Sequence, residues 1–217
     1  MVVTKANGEV RLCIDSTPLN KALQRDHFSM PTIDDVLPKL ANAKVFSSCD
    51  LSSAFWHIQL DEESSNLTTF MTPLEKLKFL RLAYGLSPAP EIFQRKLLEA
   101  PAGLNGVACI ADDILIYGCG DSVELAQQDH DRNMIALLDR CRDKGIKLNK
   151  EKMKLNCASV TFMGHELTSD GLRPDRRKAE AIQRMPAPVD RQGLLRLLGM
   201  ATFLARFCPS FSETTAR

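Results

Sequence analysis

Two adjacent aspartates, Asp112 and Asp113, stand between two apolar runs in the stretch 107–117, VACIADDILIY. Each run has the length of one buried strand, and only a tight turn separates the two. Because both arms are apolar, we expect a hairpin that the core holds rigidly at its acidic tip. A metal site needs such rigid placement, and carboxylate oxygens suit Mg²⁺. Asp-Asp is also common in turns for conformational reasons alone, which is the structural alternative.

A third carboxylate, Asp50, ends the strand-like run 44–51, KVFSSCDL. If this strand lies beside the hairpin, Asp50 and Asp112 meet at the ends of neighbouring strands. Two such carboxylates can bridge two metal ions about 3.5–4 Å apart, the arrangement that promotes in-line nucleotidyl transfer. The alternative is that Asp50 caps a short helix in the aromatic-rich segment 52–60.

The order of elements along the chain predicts an α+β fold with an antiparallel sheet, because short turns join most neighbouring strands. Helices are predicted at 33–40, 88–99, 129–144, 174–185 and 190–207. Strands are predicted at 8–14, 44–51, two runs within 66–82, both arms of 107–117, and near 146–148, 153–155 and 159–167.

Composition argues against several other classes of protein. No apolar run approaches the length of a membrane span, and the first residues lack the apolar core of a signal peptide. We therefore expect a cytoplasmic or nuclear protein without a membrane partner. The seven cysteines include no CxxC pair, and the four histidines have no metal-ligand spacing, so neither a zinc site nor a disulfide framework is indicated.

Positive charge is concentrated in residues 140–184, which hold twelve Lys/Arg and six Asp/Glu, although the whole chain has a net charge of only +1. A basic segment of this kind suits contact with a polyanion such as nucleic acid. A solvated, charged helix face is the alternative, and charge by itself favours that alternative.

Four ordered segments resemble the motifs of reverse transcriptases from gypsy-type long-terminal-repeat retrotransposons. Segment 49–58, CDLSSAFWHI, is similar to motif A, and segment 82–94, LAYGLSPAPEIFQ, is similar to motif B. Segment 110–115, IADDIL, is similar to motif C, and segment 162–167, FMGHEL, is similar to the primer grip. The resemblance covers essentially the whole chain. It implies a right-hand polymerase palm and an RNA-directed DNA polymerase that extends a primer on an RNA or DNA template.

The resemblance also implies a catalytic centre. Asp50, Asp112 and Asp113 would be the catalytic carboxylates, and together with the Leu51 carbonyl they would bind two Mg²⁺ ions, which Mn²⁺ could replace. One ion would lower the pKa of the primer 3′-hydroxyl, and the other would neutralise charge on the triphosphate.

A binding site for the incoming deoxynucleoside triphosphate is implied as well. Arg11 and Lys5 would hold the triphosphate, since a forked guanidinium matches phosphate oxygens. Phe55 would be a steric gate that occupies the space of a ribose 2′-hydroxyl, with plain core packing as the alternative. Tyr84 and Gly85 would lie under the incoming nucleotide and the template base.

Contacts with the primer–template are implied at two further places. Met163, Gly164 and His165 match the primer grip, while Gly199 and Phe203 match the thumb helix that follows the minor groove. The small Gly199 would permit close approach, and helix packing explains it equally well.

The resemblance divides the chain into five parts: partial fingers (1–24), palm with motif A (25–57), fingers hairpin with motif B (58–88), palm with motif C and primer grip (89–167), and the start of the thumb (168–217). The ribonuclease H and integrase regions of the family are absent from these 217 residues. We therefore expect a fragment of a longer Pol polyprotein.

Several positions depart from the family pattern: Leu74, Leu77 and Ala83 replace its Phe, Tyr and Pro, and two further positions bear on the argument. Ile110 stands where motif C usually has Tyr, and Glu75 stands where the family has a Gly in a tight turn. A Gly there often needs a positive φ, so Glu75 is predicted to be strained. These departures keep a second hypothesis open, in which the chain is a catalytically inactive remnant that at most binds nucleic acid or metal.

Overall fold

The computed structural model describes residues 2–4, 8, 10–25, 28–207 and 211. The strands in chain order are β1 (Val2–Thr4), β2 (Val10–Leu12), β3 (Ala43–Asp50), β4 (Phe70–Met71), β5 (Lys76–Leu77), β6 (Val107–Ile110), β7 (Asp113–Cys119), β8 (Lys154–Cys157), β9 (Ser159–Phe162), β10 (His165–Thr168) and β11 (Gly171–Pro174). The α-helices are α1 (Thr17–Ala22), α2 (Ile33–Val36), α3 (Glu62–Leu67), α4 (Ala89–Glu99), α5 (Val123–Lys144), α6 (Arg176–Gln183) and α7 (Arg191–Leu204). Short 3₁₀ helices cover Leu37–Leu40, Ala54–His57, Lys150–Lys152 and Ala205–Phe207.

The central feature is a four-stranded antiparallel sheet in the order β6-β7-β3-β8. Two hairpins, β1-β2 and β4-β5, form separate two-stranded sheets, and β11-β10-β9 form a three-stranded sheet. The strand pairs within these sheets are all antiparallel. The predicted α+β class with an antiparallel sheet is therefore confirmed.

Two apolar cores lie on opposite faces of the four-stranded sheet, because successive side chains of a strand point to opposite sides. On β7, Ile114 and Ile116 belong to the core that packs against α4 and α5. Leu115 belongs to the other core, which packs against α2 and the β9-β10 hairpin. Ile110 is 2% exposed and lies in this second core, so its aliphatic side chain fills the interior.

The long helix α5 begins six residues before the predicted start at residue 129. Ser122 caps it, since the Ser122 side chain accepts a hydrogen bond from the Leu125 amide at 3.2 Å. The predicted end is confirmed: Gly145 follows the helix with φ 66°, the left-handed conformation that glycine adopts without steric cost.

Several other predicted boundaries were wrong. Residues 66 and 67, predicted to begin a strand, lie instead at the end of helix α3. Asp61 caps this helix by accepting a hydrogen bond from the Ser64 amide at 2.7 Å. Only two short strands, β4 and β5, lie within 66–82. Near 146–148 the chain makes an isolated bridge, Leu51 to Leu148, and no strand. The predicted strand 159–167 is a hairpin of two strands, and β11 was not predicted.

The expected strain at Glu75 is also absent. Among the described residues with positive φ that are not glycine are Ser53, Ala111, Asn156 and Met163, and Glu75 is not one of them. The turn is closed instead by Thr72, whose amide donates to the Glu75 carbonyl at 2.9 Å and whose hydroxyl accepts from the Glu75 amide at 3.0 Å. No helix within the described residues is long and apolar enough to cross a membrane.

Candidate active site

The antiparallel register of β3 and β7 brings three carboxylates together. Asp50, the last residue of β3, pairs directly with Asp113, the first residue of β7. Asp112 precedes Asp113 on the turn, and its carbonyl accepts from the Leu51 amide at 3.1 Å. Asp50 therefore belongs to the strand and does not cap the following short helix; Ser53 holds that position. The predicted meeting of the acidic hairpin with the end of the neighbouring strand is present.

The buried side-chain amide of Gln94 forms hydrogen bonds to the backbone of the acidic hairpin, a contact that we call the Gln94 clamp. Gln94 on α4 has no exposed surface, and its side chain donates to the Cys109 carbonyl at 3.2 Å. The same side chain accepts from the Ala111 amide at 2.6 Å. Ala111 has φ 52°, so the turn that carries Asp112 is held in a conformation that alanine rarely adopts. The role of Gln94 was not predicted, because one glutamine among the polar residues of a helix gives no such signal.

A lysine that the sequence did not single out sits at the same site. The Lys152 ammonium lies 2.5 Å from a carboxylate oxygen of Asp50, although 102 residues separate them in sequence. The Asp50 side chain is only 14% exposed, whereas that of Lys152 is 66% exposed. The hydrogen bond to Asp50 raises the pKa of Lys152 above its ordinary value, so this side chain stays cationic.

Burial and neighbouring charges both act on the protonation of Asp113. Burial raises the pKa of Asp113 most, and the nearby charges of Asp112 and Asp50 add to the rise, so that this pKa is about 6. Lys152 acts against this rise. Such a raised pKa marks a carboxyl that is buried beside other negative charges, and a bound cation would lower it.

The carboxylates border one cavity of about 300 Å³, lined by Ser48, Cys49, Asp50, Asp112, Asp113, Lys152, Lys154, Thr161 and Phe162. Within the described part of the chain, no three His, Cys, Asp or Glu side chains are placed to hold a metal ion together. The three aspartates are therefore neighbours in the fold without forming such a group, and the Lys152 ammonium pairs with one of them, Asp50.

A second, aromatic pocket of about 220 Å³ adjoins the acidic hairpin; Arg11, Met30, Ala54, Phe55, Tyr84, Pro90, Phe93, Ala111 and Asp112 line it. The ring centroid of Phe55 lies 4.8 Å from that of Tyr84 and 5.6 Å from that of Phe93. The Arg11 guanidinium lies over the Tyr84 ring at 4.6 Å. Phe55 thus faces this pocket and also packs against the core, so both interpretations of Phe55 have support in its position.

The segment after β2 packs closely against the backbone at Gly85, beside this pocket. Its φ is 108°, and a Cβ on Gly85 would collide with the Ile14 carbonyl, so any larger residue would be strained and would clash. The Ile14 amide donates to the Tyr84 carbonyl at 2.9 Å, and the Ser16 hydroxyl donates to the Gly85 carbonyl at 2.5 Å. These contacts explain how residues far apart in sequence come to line one pocket.

The predicted primer-grip residues form the turn between β9 and β10. Met163 and Gly164 both have positive φ, 48° and 76°, as a tight two-residue hairpin turn requires. His165 is 5% exposed and stacks on Phe203 of α7, with ring centroids 4.9 Å apart. The Lys178 ammonium lies 3.8 Å from the centroid of the Phe203 ring. The structure therefore brings Gly164, His165 and Phe203 together where this hairpin meets α7, and Met163 lies on the same turn.

Two predicted residues stand apart from these groups. Gly199 lies on α7 with open space where a side chain would begin, so helix packing does not require a glycine there. Lys5 lies outside the described residues, and its predicted role stays a prediction.

Comparisons with known proteins agree with this geometry. A family model described as reverse transcriptase (RNA-dependent DNA polymerase) matches residues 3–167. The chain is 36% identical over 205 residues to the "Retrovirus-related Pol polyprotein from transposon 412" of Drosophila melanogaster, covering 94% of the chain and 16% of that protein. It is 31% identical over 211 residues to the "Enzymatic polyprotein" of Cauliflower mosaic virus (strain Strasbourg), covering 96% of the chain and 30% of that protein.

Solved structures show the same fold. The foamy viral protease-reverse transcriptase in complex with dsDNA superimposes with a TM-score of 0.85 at 25% identity, over 98% of this chain and 43% of that one. A second foamy viral structure, of the protease-reverse transcriptase dRH with ds DNA, gives 0.87 at 24% identity, over 98% and 36%. Because the family match covers most of the residues, the chain belongs to the reverse transcriptase (RNA-dependent DNA polymerase) family.

Proposed function

We propose that this chain carries the nucleotidyl-transfer centre of a reverse transcriptase from a gypsy-type retrotransposon Pol polyprotein. It would extend a primer with deoxynucleoside triphosphates on an RNA or DNA template. The observation that carries the proposal is the β3–β7 register, which sets Asp50 opposite Asp113 with Asp112 on the adjoining turn. The chain spans 16% to 30% of the relatives named above, so the ribonuclease H and integrase regions would belong to its parent polyprotein.

The chemistry of the donors suits a hard divalent cation, although the three carboxylates as they are placed here do not form a metal-binding group by themselves. Asp50, Asp112 and Asp113 supply carboxylate oxygens at adjacent strand ends, and the Leu51 carbonyl is the further ligand that we assign. The contact of the Lys152 ammonium with Asp50 supports the assignment, because it marks a cationic position at that carboxylate. Two bound Mg²⁺ ions, or Mn²⁺ ions, would lower the pKa of the primer 3′-hydroxyl and neutralise charge on the triphosphate.

The aromatic pocket suits the incoming nucleotide. Arg11 stands at its mouth above Tyr84 and, with Lys5, would bind the triphosphate. Phe55 would limit the space at the sugar, and Tyr84 with Gly85 would support the base. Since Asp112 lines the same pocket, a nucleotide held there would have its phosphates beside the acidic hairpin.

The β9-β10 turn and α7 suit the primer–template. Met163, Gly164 and His165 would contact the primer end, and Gly199 with Phe203 would follow the duplex. Met163 is 37% exposed at the tip of its turn, and Gly199 leaves open space on α7, so both surfaces are available to a duplex.

Primer extension tests the proposed activity. The purified chain should add deoxynucleotides to a primer annealed to RNA or DNA when Mg²⁺ or Mn²⁺ is present, and EDTA should abolish the addition. Asp112→Asn should lose at least about 100-fold in rate, because removing one charged ligand weakens the electrostatic stabilisation of the transferring phosphate.

Asp139→Asn is the matched control, since Asp139 is 60% exposed on α5 and pairs only with Arg142 in the described structure. The Asp139 variant should retain the activity. No incorporation by protein that is folded, as judged by cooperative unfolding, would contradict the proposal and favour the inactive remnant instead.

A further inference from the structure

A third cavity, of about 380 Å³, lies between α4, the end of α5 and the segment after β3. Leu51, Phe93, Leu97 and Ile146 supply apolar walls, and Lys96 and Lys144 stand among the polar lining residues. Its volume falls in the range of small-molecule sites, which are mostly apolar with a few polar groups that fix orientation. Apart from Leu51 and Phe93, the residues that line this cavity belong to neither the proposed catalytic centre nor the nucleotide pocket.

The charge at this cavity is positive. The Lys96 ammonium is paired with Glu99 at 3.1 Å, so those two charges offset each other. Lys144 has no ion-pair partner within the described residues.

His57, another lining residue, adds no charge. Its Nδ1 lies 2.9 Å from the Ala54 carbonyl, to which it must donate, and its Nε2 accepts from the Lys147 amide at 2.9 Å. This pattern fixes the neutral tautomer with its proton on Nδ1.

We propose that this cavity binds an organic monoanion with a flat apolar body. The body would lie against the walls formed by Leu51, Phe93 and Leu97, and the anionic group would meet Lys144. Charge complementarity selects an anion over a cation, and the apolar walls select an aromatic or aliphatic body over a bare inorganic ion.

Phe93 couples this cavity to the aromatic pocket, because its side chain lines both. From Phe93 the ring contacts continue to Phe55 at 5.6 Å, to Tyr84 at 4.8 Å and to Trp56 at 6.2 Å. Interiors are close-packed, so a ligand that presses on Phe93 shifts its neighbours. Binding at the cavity should therefore change the surroundings of the Trp56 ring, although Trp56 does not line the cavity.

Titration of the metal-free full chain with 8-anilinonaphthalene-1-sulfonate tests the binding site. We expect saturable 1:1 binding by fluorescence and calorimetry. Lys144→Glu should weaken it by about fivefold or more, the size of a lost surface charge contact. Ala100→Leu, which fills part of the cavity and leaves the charge unchanged, should weaken it as well.

Two controls isolate the charge. Arg142→Glu alters a 78% exposed residue near the same helix end that does not line the cavity, and it should leave the affinity unchanged. The uncharged analogue N-phenyl-1-naphthylamine should bind more weakly than the sulfonate, and Lys144→Glu should abolish that difference. Binding that fails to saturate, or that Arg142→Glu and Lys144→Glu weaken equally, would overturn the proposal.

The chain has a single tryptophan, so the indole N–H signal of Trp56 in a ¹H–¹⁵N spectrum is unambiguous. That signal should shift as the sulfonate saturates the cavity, and the shift should shrink in a Phe93→Leu variant that still binds. Saturation without any shift of Trp56 would refute the coupling. Neither measurement requires nucleotide or primer, so failure here is distinguishable from failure of the proposed polymerase activity.

Discussion

At the scale of single residues, the contact between Lys152 and Asp50 sets the charge at the candidate metal site. An ammonium 2.5 Å from a carboxylate that is only 14% exposed competes with any cation for that carboxylate. The same charge holds down the pKa of Asp113, which burial and its acidic neighbours raise to about 6. Lys152 therefore offsets part of the repulsion among the three aspartates.

Lys152→Met should bind divalent cations more tightly than the natural chain. Removing the ammonium frees Asp50 and leaves the site more negative, and for a side chain exposed to water we expect a gain of about fivefold in affinity. Mn²⁺ binding followed by electron paramagnetic resonance measures it directly. Lys154→Met is the control, because Lys154 lines the same cavity without an ion pair to Asp50, and it should have the smaller effect. Unchanged or weaker Mn²⁺ binding by Lys152→Met would contradict this account.

At the scale of elements, helix α4 and the acidic hairpin depend on one another through Gln94. The two hydrogen bonds from this buried side chain satisfy a carbonyl and an amide of the hairpin that water does not reach from that side. They also keep Ala111 at its positive φ. The hairpin geometry is thus imposed from outside the hairpin as well as by its own apolar arms.

Gln94→Met keeps the approximate side-chain volume and removes both hydrogen bonds. The unsatisfied backbone groups should lower the free energy of unfolding by about 1–3 kcal/mol. Urea denaturation at neutral pH measures this change, and Gln128→Met, at an exposed position of α5, should stay within about 0.5 kcal/mol of the natural chain. Equal stability of the two variants would show that the clamp contributes nothing.

The junction of the β9-β10 hairpin with α7 should be sensitive to pH through His165. Burial lowers the pKa of His165 below its ordinary value of 6.5, and the nearby positive charges of Arg206 and Lys178 lower it further, while Asp34 acts in the opposite direction. Its Nδ1 has no hydrogen-bond partner among the described residues. The unfolded chain therefore binds a proton at His165 more readily than the folded chain does, and the contribution of His165 to stability falls as the pH drops below about 6.5.

His165→Phe should remove most of that fall, because phenylalanine can stack on Phe203 and does not titrate. Thermal unfolding from pH 7.5 down to 5.5 compares the two proteins, and the natural chain should lose more stability over this interval. Parallel curves would exclude His165 as the source.

The elements that could be predicted from the sequence are those whose residues follow a local pattern. Strand β3, the hairpin and α4 were predicted because apolar residues recur with the period of each element or flank a turn. Helix α3 was missed because its polar run, EESSNL, lacks an apolar face and depends on the Asp61 cap. The Lys152–Asp50 pair joins residues that are 102 positions apart in the sequence, and the Gln94 hydrogen bonds join residues up to 17 positions apart. Both contacts depend on the tertiary fold, so no local sequence pattern predicts them.

At the scale of the whole molecule, an overall charge of +1 conceals a basic segment, residues 140–184. If this segment binds nucleic acid, affinity for a primer–template should fall linearly with the logarithm of salt concentration. Arg177→Ala, within α6, should reduce the magnitude of that slope by about 1, as for one lost phosphate contact.

Arg132→Ala removes a 75% exposed charge on α5 outside the segment, and it should leave the slope unchanged. Fluorescence anisotropy at several salt concentrations measures both variants. Binding that is independent of salt would argue against this role of the segment.

The order of strands in the central sheet has a consequence for how the chain acquires its structure. Strand β3 lies between β7 and β8, and both neighbours come much later in the sequence; the contact of Ser47 with Asn156 spans 109 residues. During synthesis β3 emerges first and keeps both edges unpaired until those distant partners arrive. Long loops must close before β3 joins either of its neighbours, which slows folding and leaves strand edges open to aggregation. Asp50 and Asp113 can therefore meet only after β7 has been synthesised and the long segment between the two strands has closed.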